Sequence, residues 1–174
     1  MKKSGIKSVI VLTVICLVVT ALLAVTNSVT APIIEKTRHE KVVNSLNTVL
    51  PNAGGFTELE LPEGTPASVK AAYRGNDGSM AIVLTARSAY SSGDMGITLG
   101  LDPSGSIEGI KLTSYQESKD FGRDTYPQNY VGKNAGDYSG VDSFSGVTYS
   151  SKALKGAIAD AFEFFKLVGG GAVE

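Results

Sequence analysis

The longest uninterrupted apolar segment lies near the start of the chain. Residues 8–26, SVIVLTVICLVVTALLAVT, form 19 positions without a charged side chain, which is long enough for a helix to cross the hydrocarbon core of a bilayer. Lys2, Lys3 and Lys7 precede this segment, and flanking positive charge favours the cytoplasmic side. We therefore predict a cytoplasmic N-terminus over residues 1–7 and one transmembrane helix over 8–26. The rest of the chain is expected to be the extracytoplasmic part of a single-pass cell-membrane protein.

A cleaved signal peptide is the alternative interpretation of the same apolar segment. The apolar region of a signal peptide is usually shorter, about 7–15 residues. The best small-residue cleavage site ends at Ala31, and Pro32 follows it directly, which disfavours cleavage. A retained membrane anchor is therefore the preferred interpretation.

A helical pattern follows the anchor over residues 27–51. Pro32 can begin a helix and Pro51 can end one. Between them, apolar residues recur at roughly helical spacing: Ile34, Val42, Val43, Leu46, Val49 and Leu50. We predict a juxtamembrane helix that packs one face against the following domain.

Residues 52–174 form the predicted extracytoplasmic domain. Residues 52–68 are rich in Gly and Pro and are predicted to be largely loop. Apolar or alternating strand patterns then follow, at residues 69–73, 80–86, 95–101 and from 107 to 112. Turn sequences at 75–78 and 102–105 separate these segments, and strands joined by tight turns form an antiparallel meander.

The last element is a predicted amphipathic helix over about residues 150–168. Its expected buried face consists of Leu154, Ala157, Ile158, Ala161, Phe162 and Phe165. The polar stretch between residues 113 and 140 is longer than an ordinary connection in a compact domain, and stretches of this length are usually functional or disordered. The predicted fold class is α+β, with an antiparallel-rich sheet flanked by helices and preceded by one N-terminal transmembrane helix.

Composition excludes several classes of function. The chain has 16 Lys and Arg against 17 Asp and Glu, so it lacks the basic excess typical of nucleic-acid binding. Cys16 and His39 are the single cysteine and histidine. An intrachain disulfide is therefore impossible, and a metal site built by this chain is not expected.

A run of hydroxyl side chains precedes the last predicted helix, in DSFSGVTYSS at residues 142–151. A helix N-terminus attracts anions such as phosphate, and Gly146 would allow close approach of a ligand to the backbone. Ser and Thr before a helix are, however, most often caps. The run contains no Lys or Arg, so it is not a P-loop. The residues alone leave two interpretations open, helix capping and a phosphate held by a covalent bond.

Residues 142–148, DSFSGVT, resemble the Asp-x-x-(Ser/Thr)-Gly-Ala-Thr flavinylation motif. This motif occurs in the FMN-binding domain of the G subunit of the Rnf ferredoxin–NAD oxidoreductase. It also occurs in the related C subunit of the sodium-pumping NADH–quinone reductase. The anchor, the juxtamembrane helix and the Gly132–Lys133 pair are similar to the Rnf G subunit as well. Val147 replaces the alanine of the family motif.

The resemblance implies covalent FMN, attached through a phosphoester to Thr148 by a flavin transferase that uses FAD. Asp142 would serve recognition by that transferase. The residues expected to line the phosphate end of the cofactor are Ser145, Gly146, Val147, Tyr149 and Ser150. No residue is assigned as a catalytic acid or base.

A second segment, GIKLTSYQES, is similar to the strand that leads into the Glu-Thr-Pro-Gly-Leu-Gly loop of the family. That loop lies beside the flavin in the family. Here Glu117 keeps its place, Ser118 replaces threonine, and the Pro-Gly pair is absent. Glu117 and Ser118 are therefore the candidates for contacts near the flavin ring or ribityl chain. Tyr115 and Phe121 are candidates to pack on the ring, although such aromatics more often belong to a core or its rim.

The resemblance further implies an electron-transfer subunit of an ion-translocating oxidoreductase, or translocase. Its partners would be other membrane and iron–sulfur subunits of the Rnf complex, and the subunit is not expected to be a complete enzyme alone. A C-type subunit of the quinone reductase and a free-standing extracytoplasmic flavoprotein are the redox alternatives. A membrane-anchored surface binding domain is the non-redox alternative.

Overall fold

The computed structural model describes residues 2–87, 93–115, 122 and 124–169. The chain divides into two compact units, Met1–Val42 and Val43–Glu174. Helix α1 runs over Lys2–Val49, so it supplies the first unit and also the first residues of the second.

Within the first unit, Val9–Ala31 is a stretch of 23 residues that is long and apolar enough to cross a membrane. The hydroxyls of Thr13, Thr20 and Thr26 donate to the carbonyl oxygens four residues earlier, at 2.9, 2.8 and 2.9 Å. Polar groups in hydrocarbon must be satisfied inside the segment, and these side chains meet that requirement. The helix therefore fits a single-pass membrane protein.

The predicted transmembrane and juxtamembrane helices lie in one continuous helix, since α1 continues through Pro32 to Val49. An interior proline removes one hydrogen bond from the helical ladder and crowds the carbonyl four residues earlier, but α1 continues on both sides of Pro32. Pro32 does not begin a separate helix. The last turn of α1, with Leu46 and Val49, is buried in the core of the second unit.

The second unit contains an antiparallel meander with the strand order β1-β2-β3-β4-β5. The strands are β1 (Phe56–Leu59), β2 (Val69–Gly75), β3 (Met80–Ala86), β4 (Met95–Leu101) and β5 (Ile107–Ser114). Helix α2 follows at Thr148–Leu167. These elements confirm the predicted α+β fold class.

Residues 52–68 are largely loop, as predicted, but they also contain strand β1, which the sequence pattern did not predict. The register of β1 runs from Phe56 opposite Gly75 to Leu59 opposite Ala72. The strand has four residues, and the middle two are exposed. It is therefore held mainly by backbone pairing with β2, and it carries no apolar run that a sequence pattern would detect.

Strand β4 is buried on both faces of the sheet. Ile97, Leu99 and Leu101 belong to the same core cluster as α2. Side chains alternate along a strand, so Thr98 and Gly100 lie on the opposite face. There Thr98 Oγ1 lies 3.1 Å from Ser45 Oγ in α1, within hydrogen-bonding distance. The sheet is thus covered on one face by α2 and on the other by the end of α1.

Helix α2 buries the apolar face that its sequence predicts. All six predicted positions are at most 6% exposed. Near its C-terminal end, Phe165 packs so closely against Gly105 that an added Cβ on the glycine would lie 3.0 Å from the ring. Helix α2 begins at Thr148, two residues earlier than predicted.

The long polar segment after β5 lies along the outer edge of that strand. Gly132 N donates to Ile107 O at 2.7 Å, Ile107 N donates to Lys133 O at 2.8 Å, and Gln128 Nε2 donates to Ile110 O at 3.0 Å. Two 3₁₀ helices, Tyr126–Tyr130 and Tyr138–Gly140, lie within this segment. The segment covers an otherwise open sheet edge and leads to the hydroxyl-rich run.

Two glycines allow the end of α1 to approach the sheet. A Cβ on Gly109 would lie 2.5 Å from the Val49 carbonyl oxygen and 2.8 Å from its Cα. A Cβ on Gly100 would lie 2.9 Å from the same oxygen. The obstacle in each case includes backbone, which cannot move aside as a flexible side chain can.

We therefore expect Gly109→Ala to lower the free energy of unfolding by about 1–3 kcal/mol through overpacking. Urea unfolding of the full chain in detergent, followed by circular dichroism, measures the change. Gly156→Ala in α2 is the matched control, because nothing lies within 4 Å of its added Cβ. The control should be neutral or more stable by up to about 1 kcal/mol. Equal stability of Gly109→Ala and the wild type would contradict the close approach.

Candidate functional site

The hydroxyl-rich run contains a tight turn immediately before α2. Val147 N donates to Phe144 O at 3.2 Å, and Gly146 has a φ of 84°. A turn with positive φ at its third residue is of type II, which favours glycine there. Nothing lies within 4 Å of a Cβ placed on Gly146. The glycine thus serves the turn and leaves open space beside it.

Ser151 fastens this turn to the first turn of α2. Its Oγ accepts from Phe144 N at 3.1 Å and donates to Val147 O at 3.1 Å. The Ser151 side chain is fully buried. This hydroxyl of the run is therefore used for structure.

Tyr126 holds the residues before the turn from the other side. Its hydroxyl donates to Asp142 O at 2.9 Å, and its ring packs edge-on against Phe144 with centroids 5.7 Å apart. The Tyr130 hydroxyl lies 3.3 Å from that of Tyr126. Because the Tyr126 proton is directed to Asp142 O, Tyr130 is the donor in this pair. Burial raises the pKa of Tyr130 well above its ordinary value, and Tyr126 adds to the shift, so this donor stays protonated.

Lys155 holds the segment one step further upstream. Its Nζ donates to Val141 O at 2.6 Å and to Ser139 O at 3.0 Å. The side chain is half-buried, and hydrogen bonds from a charged donor are stronger than neutral ones. Tyr126, Ser151 and Lys155 together fix the backbone that leads into the turn.

The predicted site residues of the run differ in their exposure to solvent. The exposed group is Asp142, Ser145, Gly146, Thr148 and Tyr149. Val147 is half-buried and Ser150 is 3% exposed. Thr148 is the first residue of α2, so its side chain lies at the surface beside the helix N-terminus.

The capping interpretation of the hydroxyls is not supported at the N-cap position. The N-cap residue is Val147, and no side-chain cap hydrogen bond is present there. The Thr148 side chain lies one residue inside the helix and is exposed.

The remaining predicted site residues belong to the segment that follows β5 along the chain. Glu117, Ser118 and Phe121 lie outside the described residues. Tyr115 is half-buried and packs against the core cluster.

A polar cleft of about 400 Å³ adjoins the start of the run. It is lined by Asn129, Lys133, Asp137, Gly140, Val141 and Asp142. Lys133 Nζ lies 3.4 Å from Asp137 Oδ2. The Asn134 backbone N–H, and then the Lys133 ammonium, lower the pKa of Asp137. The Asp137 carboxylate is therefore ionised and paired with Lys133.

The sequence did not identify Tyr126 or Lys155 as parts of the site, and it placed Ser151 among the phosphate-binding hydroxyls without its structural role. The partners of Tyr126, Ser151 and Lys155 are 16, 7 and 14 residues away in sequence, and only the fold brings them together. The length of the polar segment between residues 113 and 140 was the available signal, and it indicated function without indicating a partner.

The two kinds of hydroxyl in the run should respond differently to removal. Ser151→Ala removes the acceptor of Phe144 N and should lower the free energy of unfolding by about 1–2 kcal/mol. Ser143→Ala is the matched control, because this serine is exposed, and its effect should stay within about 0.5 kcal/mol. Urea unfolding of both full-length variants in detergent makes the comparison. Equal effects would show that Ser151 does not fasten the turn.

Two protein-family models match this chain. Residues 1–49 match the RnfG N-terminal region, and residues 91–163 match the FMN-binding domain. The second match contains the turn, Thr148 and most of α2. A search of curated proteins finds no match. The two family matches confirm the resemblance inferred from the motif: residues 1–49 belong to the RnfG N-terminal family, and residues 91–163 belong to the FMN-binding domain family.

Proposed function

We propose that the chain carries FMN as a phosphoester on Thr148 and relays electrons within a membrane-bound, ion-translocating ferredoxin–NAD oxidoreductase. The observation that carries the proposal is the placement of Thr148. Within a matched FMN-binding domain, it is an exposed threonine at the first position of α2. The RnfG match over residues 1–49 favours an Rnf-type subunit over a subunit of the quinone reductase.

The residues around Thr148 fit a phosphate ester. The N-terminal turn of a helix presents N–H groups and a partial positive charge to an anion. The space beside Gly146 is open to a ligand, and Ser145 is exposed next to it. We assign the phosphate end of FMN to Ser145, Gly146, Val147, Tyr149 and Ser150. Since the Ser150 side chain is buried, its contribution would come from its backbone N–H.

A covalent bond agrees with the charges near the turn. No Lys or Arg lies between residues 142 and 151, and Asp142 adds a negative charge. A freely dissociating phosphate usually needs cationic partners, whereas an esterified phosphate is retained without them. Lys155, the half-buried lysine of α2, already donates to two backbone carbonyls.

The attachment step has a simple balance. The Thr148 hydroxyl oxygen forms a bond to the FMN phosphorus of FAD, and the bond from that phosphorus to the bridging pyrophosphate oxygen breaks. AMP leaves, and the hydroxyl proton is released to solvent or to the transferase. The exposure of Thr148 gives a separate transferase access to the hydroxyl. Asp142, also exposed, is the proposed recognition residue.

When bound, FMN would supply one- and two-electron chemistry, and the protein supplies position and polarity. The matched N-terminal region and its apolar helix support a membrane anchor for this protein. Lys2, Lys3 and Lys7 favour a cytoplasmic N-terminus, so we propose an extracytoplasmic FMN domain. Glu117 and Ser118 remain proposals for contacts near the ring. The other membrane and iron–sulfur subunits of the complex are the proposed electron partners.

Thr148→Ala should abolish flavin attachment. Wild-type chain produced together with the transferase should gain the mass of one FMN less one water, and its flavin should remain on a denaturing gel. Thr148→Ala should gain nothing, since the acceptor oxygen is gone. Intact-mass spectrometry measures both.

Ser143→Ala is the matched control, because it removes an exposed hydroxyl from a variable position of the motif. It should retain the full mass gain. An unmodified wild-type chain in the presence of active transferase would overturn the proposed attachment, and so would a modified Thr148→Ala chain.

A further inference from the structure

Phe144 is a large apolar side chain exposed in a polar turn. It is 41% exposed, and it lies between Ser143 and Ser145, which are both exposed. Single exposed apolar residues are common on protein surfaces and need no explanation by themselves. Phe144 differs from such residues because specific contacts fix its backbone and one side of its ring.

Three contacts fix Phe144 from behind. Its backbone N–H donates to the buried Ser151 Oγ at 3.1 Å, and its carbonyl accepts from Val147 N at 3.2 Å. Its ring meets the Tyr126 ring at 73°, and Tyr126 is only 4% exposed. One side of Phe144 is therefore supported by a buried aromatic, while much of the ring remains open to solvent.

Phe144 is the first residue of the turn, and Thr148 directly follows its last residue. The first and fourth residues of a β-turn have Cα atoms within about 7 Å, and Thr148 directly follows the fourth residue, Val147. The ribityl phosphate of FMN has five carbons between the ester and the ring. A chain of this length, starting from Thr148, can bring its ring back over Phe144.

We propose that Phe144 is a stacking platform for the isoalloxazine ring of FMN carried by Thr148, and that Tyr126 is the positioning residue behind it. This inference rests on the proposed function and adds the location of the ring. Aromatic rings prefer offset stacking on a fixed partner, and a platform held in advance loses little freedom when the ring docks. The Tyr126 hydroxyl, through Asp142 O at 2.9 Å, sets the position of the platform.

Ring mobility tests the platform independently of electron transfer. Full-length chain, flavinylated by the transferase and purified in detergent, is compared with Phe144→Ala by flavin fluorescence anisotropy and visible circular dichroism. Phe144→Ala should retain the FMN mass but lose most of the induced circular dichroism, and its anisotropy should fall. Phe144→Tyr should restore both signals, whereas Phe144→Leu should not, because bulk without an aromatic face cannot stack.

Two further variants separate the platform from general effects. Leu61→Ala alters an apolar residue of nearly equal exposure, 40%, in the connection between β1 and β2, and it should leave both signals unchanged. Tyr126→Phe keeps the buried ring and removes the bond to Asp142, so it should weaken both signals partially.

The outcomes are distinguishable. If the wild-type chain carried no FMN after treatment with active transferase, the proposed function itself would be overturned. A flavinylated Phe144→Ala chain with unchanged anisotropy and circular dichroism would overturn the platform alone, and so would full recovery in Phe144→Leu.

Discussion

The packing of α2 against the meander is the interaction on which the rest of the site depends. Leu154, Ile158 and Ala161 are fully buried against the sheet, and burial of such a face supplies most of a helix's stability in a protein. Since this face fixes the rotation of α2, it decides which residues of the first turn face inward. Ser150 and Ser151 lie on the buried side, and Thr148 and Tyr149 lie on the exposed side. Successive residues lie about 100° apart around a helix, so a rotation of α2 by two residues, about 200°, would exchange these roles.

The sheet can support α2 in this way because it is itself packed on both faces. Gly100 and Gly109 leave room for the last turn of α1, and Leu46 and Leu50 are buried there. The segment after β5 covers the edge of that strand. The same segment contains Tyr126 and the two backbone carbonyls that accept hydrogen bonds from Lys155 of α2. The backbone around the turn that precedes Thr148 is thus held by three side chains, those of Tyr126, Ser151 and Lys155, and the exposed side chains of the turn remain available to a ligand. This is the arrangement expected of a site built on a rigid scaffold.

Much of this fold follows from local patterns in the sequence. Strands β3 and β4 have the predicted bounds, because each is a continuous or alternating apolar run between clear turn signals. Strand β1 escaped prediction because its stability comes from pairing with β2 rather than from its own side chains. The apolar face of α2 was predictable from its period, but the position of its first residue was not. That boundary depends on the turn at Gly146 and on the bonds made by Ser151.

Only the part of the site that lies within the sequence motif was predictable. The motif indicated Thr148, whereas Tyr126 and Lys155 depend on contacts across the fold that no local spacing encodes.

The most direct test of the central claim is fragmentation mass spectrometry of the tryptic peptide 134–152 from chain made with the transferase. Besides Thr148, this peptide contains seven other hydroxyl side chains: Tyr138, Ser139, Ser143, Ser145, Tyr149, Ser150 and Ser151. We predict that every fragment containing Thr148, and no fragment lacking it, carries the mass of FMN less water. An FMN adduct localised to any other residue, or an unmodified peptide, would contradict the account.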